Sequence, residues 1–153
     1  MAEPTLYGEI AIRAATKLRR RTVWTYAADE WDDATRSEDL RSSYARSSLD
    51  KKCPRGAFIG LCQAGLIEGV KGDEGDNSSI AKLGLNGGYA VEAVKRLRSD
   101  PIFLQQKNGK RLLWGEITNS DPDNPEPVRN GQLDVVFDLW KRGLIKRDDQ
   151  GAA

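Results

Sequence analysis

Two segments of this chain occur twice at nearly one spacing, and that repetition limits the possible folds more than any other feature. Tyr7-Gly8-Glu9-Ile10-Ala11-Ile12-Arg13-Ala14-Ala15-Thr16-Lys17-Leu18 is echoed by Asn86-Gly87-Gly88-Tyr89-Ala90-Val91-Glu92-Ala93-Val94-Lys95-Arg96-Leu97, 79 positions on. The run from Gly56 to Ile67 is echoed by the run from Asp134 to Ile145, 78 positions on. A shared spacing predicts an all-α fold of two diverged helical repeats packed on one core. The expected limits are 5–70 for the first repeat, 71–79 for a joint and 80–147 for the second, all within a single domain.

The copies keep their apolar register. Ile10, Ala11, Ala14, Ala15 and Leu18 recur in steps of one, three and four, and so do Tyr89, Ala90, Ala93, Val94 and Leu97. Each set makes one stripe on a helix, and its small alanines let a neighbour approach closely. Ala57, Phe58, Leu61 and Cys62 make a third stripe, and Val135, Val136, Leu139 and Trp140 a fourth. Both of these runs end in Gly-Leu-Ile, the pattern of a left-handed glycine stop followed by an apolar residue folding back. Pro54 is expected at the first helical position and Asn130 as the cap of the later copy.

Between the matched helices the copies diverge. Thr22 is expected to cap a helix carrying Trp24, Ala27, Ala28 and Trp31. Residues 37–49 read as one loose helix with Leu40, Tyr44 and Leu49 inward. In the second copy Asp100-Pro101 starts a short apolar turn, and Leu112, Leu113, Trp114 and Ile117 belong to a helix whose tryptophan matches Trp31. Residues 71–79 and the proline-rich 121–127 read as loops. No strand is expected beyond short extended pieces near 66–70 and 144–146, and the tail from 147 onward is expected to fray.

Composition excludes more than it assigns. At this length a chain buries roughly 70% of its unfolded surface, so neither disulfide nor metal is required for a core. With 24 basic and 23 acidic residues the net charge of +1 gives no global field toward nucleic acid. Histidine is absent, which removes the commonest general base and any Ser-His-Asp or Cys-His unit. Cys53 and Cys62 form no CxxC pair, and suit free thiols in a reducing cytosol. No apolar run reaches the ~20 residues of a membrane span, and the first residues lack the regions of a secretion signal. The expectation is a cytoplasmic chain with no membrane partner, no cofactor, no metal and no catalytic residue.

Three groups of side chains are candidates for a site. Lys51, Lys52, Cys53, Arg55 and Gly56 open a helix around Pro54. Free N–H groups and the helix dipole there favour anions and activate a thiol. The plainer reading is a proline helix start, a close packing glycine and solvated cations. Trp24, beside Arg21, is the tryptophan expected to be exposed, whereas Trp31, Trp114 and Trp140 fit core stripes. The basic groups Arg19, Arg20, Arg21 and Arg96, Arg98, Lys110, Arg111, with Lys107 beside them, partly match between the copies. They could flank a nucleic-acid groove, with Arg55 or Arg129 used as in a helix-turn-helix. Cations at helix C-termini also simply offset the dipole. The carboxylates Asp29, Glu30, Asp32, Asp33, Glu38 and Asp39 surround Trp31 and read as a solvated face.

At Cys53-Pro54-Arg55-Gly56-Ala57-Phe58-Ile59-Gly60-Leu61-Cys62, followed by Gly65-Leu66-Ile67, the chain resembles a family of small bacterial proteins of unknown function with a CPRGAFxGLC run in mid-chain. An AxxA helix in each half, and Gln132-Leu133-Asp134-Val135-Val136 leading to Gly-Leu-Ile, extend the resemblance over most of the chain. Residues 24–50 fit that pattern less well. The resemblance implies a bacterial or phage origin and brings no activity. The reading that follows is a non-catalytic binding module with a protein partner. The alternatives are nucleic-acid binding and a small enzyme using Cys53.

Overall fold

The computed structural model of the chain describes residues 3–73, 83–123 and 127–147. All four helices expected from the apolar stripes form. The first, α1, runs Leu6–Arg21; a 3-10 turn, Trp24–Tyr26, leads to α2 (Ala27–Thr35), α3 (Glu38–Ser43) and α4 (Arg46–Leu49). Then come α5 (Lys52–Gln63), α6 (Leu85–Ser99), a 3-10 turn Pro101–Leu104, α7 (Gly109–Thr118) and α8 (Gln132–Lys141). No β-strand forms among the described residues; isolated bridges join Val23 to Lys71 and Ile67 to Ile145.

Packing crosses between the halves. α5 lies along α6 and α1 along α8, while α5 also meets α8. Each crossing needs a missing side chain. A Cβ on Gly60 would run into the Gly87 backbone, and one on Gly8 into the Asp138 side chain. Gly8 and Gly87 stand 79 positions apart, and Gly60 and Asp138 78 apart. Both Gly-Leu-Ile runs stop their helices as expected. Gly65 (φ 75°) and Gly143 (φ 73°) are left-handed. The Leu66 N–H donates to the Leu61 carbonyl and the Leu144 N–H to the Leu139 carbonyl, each at 3.0 Å. Beyond them, the Glu68 N–H donates to Leu144 O (2.8 Å) and the Lys146 N–H to Leu66 O (2.9 Å). Those two bonds exchange under the same shift of 78.

The core is continuous through the frame, with Ile10, Leu18, Phe58, Leu61, Leu97, Leu133 and Leu139 fully buried. Trp31 and Trp114 are each 1% exposed. Trp31 packs on Phe58 of α5 with ring centroids 5.5 Å apart, and Trp114 meets Tyr89 of α6 edge-on at 5.0 Å. T-shaped contacts of this kind suit the ring quadrupoles. Trp140 is also buried.

Helix starts and connections differ from expectation in several places. Pro54 is the third helical residue, because Lys51 is the cap; its missing N–H still falls among those without an intrahelical acceptor. Gly131 (φ 89°), not Asn130, precedes α8, since a Cβ there would strike the Tyr7 ring and Pro54. Thr22 ends α1 in the left-handed region (φ 67°) instead of starting the next helix. Trp24 lies in the 3-10 turn and is half-buried against the core, so it is not the exposed tryptophan expected. Its N–H donates to Lys71 O at 2.9 Å, and the Lys71 N–H to Thr22 O at 2.7 Å. Residue 71 is therefore paired, and 74–79 lie outside the described residues. Residues 37–49 make two helices, broken where Tyr44 turns extended (φ −132°) and exposed; Leu40 and Leu49 do face inward. Residues 124–126 of the expected proline loop and 148–153 of the tail are also outside the described residues.

Candidate functional site

The start of α5 is tied into the scaffold. Lys51 and Lys52 are exposed and Cys53 is half-buried. Arg55 forks onto Asp32 of α2, Nε to Oδ1 at 2.9 Å and Nη2 to Oδ2 at 3.1 Å. Hydrogen bonding to that carboxylate raises the Arg55 pKa further above its ordinary value. Gly56 faces Asn86 of α6, whose Oδ1 accepts from Gln132 Nε2 at 2.9 Å. Gln132 is 2% exposed, and its Oε1 accepts from the Asn130 N–H at 2.6 Å. Of the residues brought forward here, Arg55 and Gly56 thus join α5 to α2 and α6. Burial pushes the other thiol, Cys62, up, which disfavours thiolate chemistry there.

The members of the two basic groups differ in how far the fold engages them. Arg21 pairs with Glu30 at 2.9 Å and lies over the Tyr26 ring. Arg19 extends across Gly69, and Arg20 is exposed; neither makes an ion pair or side-chain hydrogen bond among the described residues. Arg96 reaches Glu92 (3.5 Å) and Glu116 (3.4 Å), and Arg98 donates to Lys146 O at 2.6 Å. Lys110 pairs with Asp134 at 2.8 Å and Arg111 with Asp123. The acidic face around Trp31 is likewise engaged: Asp33 with Lys17 at 3.0 Å and Asp39 with Arg13 at 2.6 Å. The Arg13 guanidinium holds the Asp39 carboxyl well below the usual carboxylate range, and Lys17 lowers that of Asp33. No three metal-ligating side chains cluster among the described residues.

What the sequence did not reveal is a groove beside α8. One end, about 430 Å³, is lined by Lys107, Lys110, Arg111, Arg129 and Lys141, with no carboxylate among the described lining residues. The other, about 610 Å³, is walled by Pro4, Ile12, Leu104 and Trp140. The two hollows adjoin at Leu104 and Lys141, which line both. Lys107, Arg129 and Lys141 make no ion pair or side-chain hydrogen bond among the described residues. The signal in the sequence was partial: Lys107, Lys110 and Arg111 stand together, but Arg129 and Lys141 come from two later segments. Only the packing of α7 and its preceding turn against α8 assembles all five.

The chain belongs to DUF6979, a family of unknown function, whose profile matches residues 4–146. No match was found among curated proteins or among solved structures.

Proposed function

We propose that the chain is a non-catalytic binding module for a protein partner, acting through the groove beside α8. One observation carries this reading: five cations line one concave surface with no carboxylate among its described lining residues, in a chain of net charge +1. Lys110 and Arg111 are paired with Asp134 and Asp123, but Lys107, Arg129 and Lys141 make no ion pair among the described residues. Like charges gathered in this way repel one another until something anionic arrives. The start of α5, the other candidate surface, spends Arg55 and Gly56 on contacts within the fold. We read the frame presenting the groove as a duplicated helical unit, supported by the paired bonds that exchange under a shift of 78. The location we propose is the bacterial cytoplasm, in keeping with two thiols and no disulfide among the described residues.

The test is affinity capture from nuclease-treated bacterial lysate with two baits, the native chain and Lys107→Glu/Arg129→Glu. The expected result is one stoichiometric protein on the native bait and its loss from the variant. Equal recovery on both baits would place the working surface elsewhere.

A further inference from the structure

We propose that the occupant of the groove is an acidic protein segment carrying an apolar anchor. Its carboxylates lie over Lys107, Arg129 and Lys141, and its anchor enters the end walled by Ile12, Leu104 and Trp140. The inference rests on the reading of this groove as the binding surface, and adds the chemistry of what fills it.

Charge is the first argument. Among the described residues, seven cations line the two adjoining hollows against two carboxylates, Glu3 and Asp138. Asp138 is already engaged, accepting from the Thr5 N–H at 2.9 Å and from Thr5 Oγ1 at 2.7 Å. Lys110 and Arg111 have their own partners, Asp134 and Asp123, which leaves Lys107, Arg129 and Lys141 to meet incoming charge. Clusters of this kind recognise acidic peptide motifs and speed their association.

The second argument is polarity along the groove. The basic end passes at Lys141 and Leu104 into an end with an apolar wall, so a matching ligand changes character along its length in the same order. A buried apolar anchor beside a charged stretch supplies the affinity that exposed ion pairs do not. Nucleic acid fits this surface less well. Unpaired bases need a broad aromatic face to stack on, whereas the apolar end offers a wall shared by Pro4, Ile12, Leu104 and Trp140. A uniformly charged backbone also has no use for the apolar end.

Fluorescence anisotropy tests this with the full chain and three labelled probes: a peptide of four glutamates, a glycine and two leucines; the same peptide with serines for leucines; and a twelve-residue oligothymidylate. The leucine peptide is expected to bind saturably, at least tenfold more tightly than the serine peptide and the oligothymidylate. Lys107→Glu/Arg129→Glu should weaken it at least tenfold, with circular dichroism confirming an unchanged fold. Equal binding of the two peptides overturns the anchored segment while leaving a basic binding surface in place. Tighter binding of the oligothymidylate, lost in the variant, overturns it in favour of nucleic acid. No binding of any probe to the native chain defeats the groove reading itself.

Discussion

The stretch between α1 and α5 and the stretch between α6 and α8 solve the same packing problem and leave opposite surfaces. Each lays a fully buried tryptophan against the four-helix frame, Trp31 on Phe58 and Trp114 on Tyr89. Around Trp31 the surface hollow holds Lys17, Arg21 and Arg36 with four carboxylates, and its charges largely pair within the chain. In the other stretch, the hollow at the start of α7 holds five cations and, among the described residues, no carboxylate. Packing constrained the buried ring in both places, whereas surface charge was free to differ. Among the described residues, the second stretch is the less balanced of the two, and that is the ground for the proposed binding surface.

The largest expected effects test whether the two tryptophans anchor their stretches alike. Trp31→Ala and Trp114→Ala should each lose about 3–5 kcal/mol in urea unfolding. Trp114 should cost about 1 kcal/mol more, because its Nε1–H also donates to Pro127 O at 2.8 Å. A loss below about 1 kcal/mol at either site would mean that its ring is not a core anchor. Next comes the frame shared by both. Gly60→Ala forces α5 away from Gly87 and should cost about 1–3 kcal/mol, read from the same unfolding curves. A neutral result would show that the crossing relaxes freely.

Smaller effects separate the surfaces. A double-mutant cycle on Arg55 and Asp32, each more than one-third exposed, should return a coupling of about 0.2–1 kcal/mol. Zero coupling would remove the clamp between α5 and α2. The carboxylates of the first stretch also impose a pH dependence. Asp39 and Asp33 have folded pKa values below the ordinary 3.8, so they contribute stability above that pH and lose it as pH falls through their lowered values. Asp39→Asn should therefore melt below the native chain at pH 7, with the gap narrowing below pH 3.8. A gap constant with pH would contradict the Arg13 pairing. The smallest effect belongs to the groove: Lys107→Glu/Arg129→Glu should shift stability by no more than about 0.5 kcal/mol, since neither side chain has a partner among the described residues. A large loss there would mean that these cations serve the fold.

The sequence by itself determined the four frame helices, their buried stripes and the two glycine stops. Each of these is written within a turn or two of chain: stripes such as Ile10, Ala14 and Leu18 depend on 3.6-residue periodicity, and Gly65 and Gly143 on a local backbone need. Helix starts were less legible, because what decides them at Gly131 is the Tyr7 ring, arriving from the other end of the chain. The tertiary structure alone decided which charges are engaged and which remain. Arg55 reads as a free cation until α2 brings Asp32 from 23 positions away, and Lys110 until α8 brings Asp134 from 24. The groove lies wholly on that side of the division. Its cations come from three separated segments, and Coulomb interactions depend on where helix packing puts charges in space, which no local pattern records.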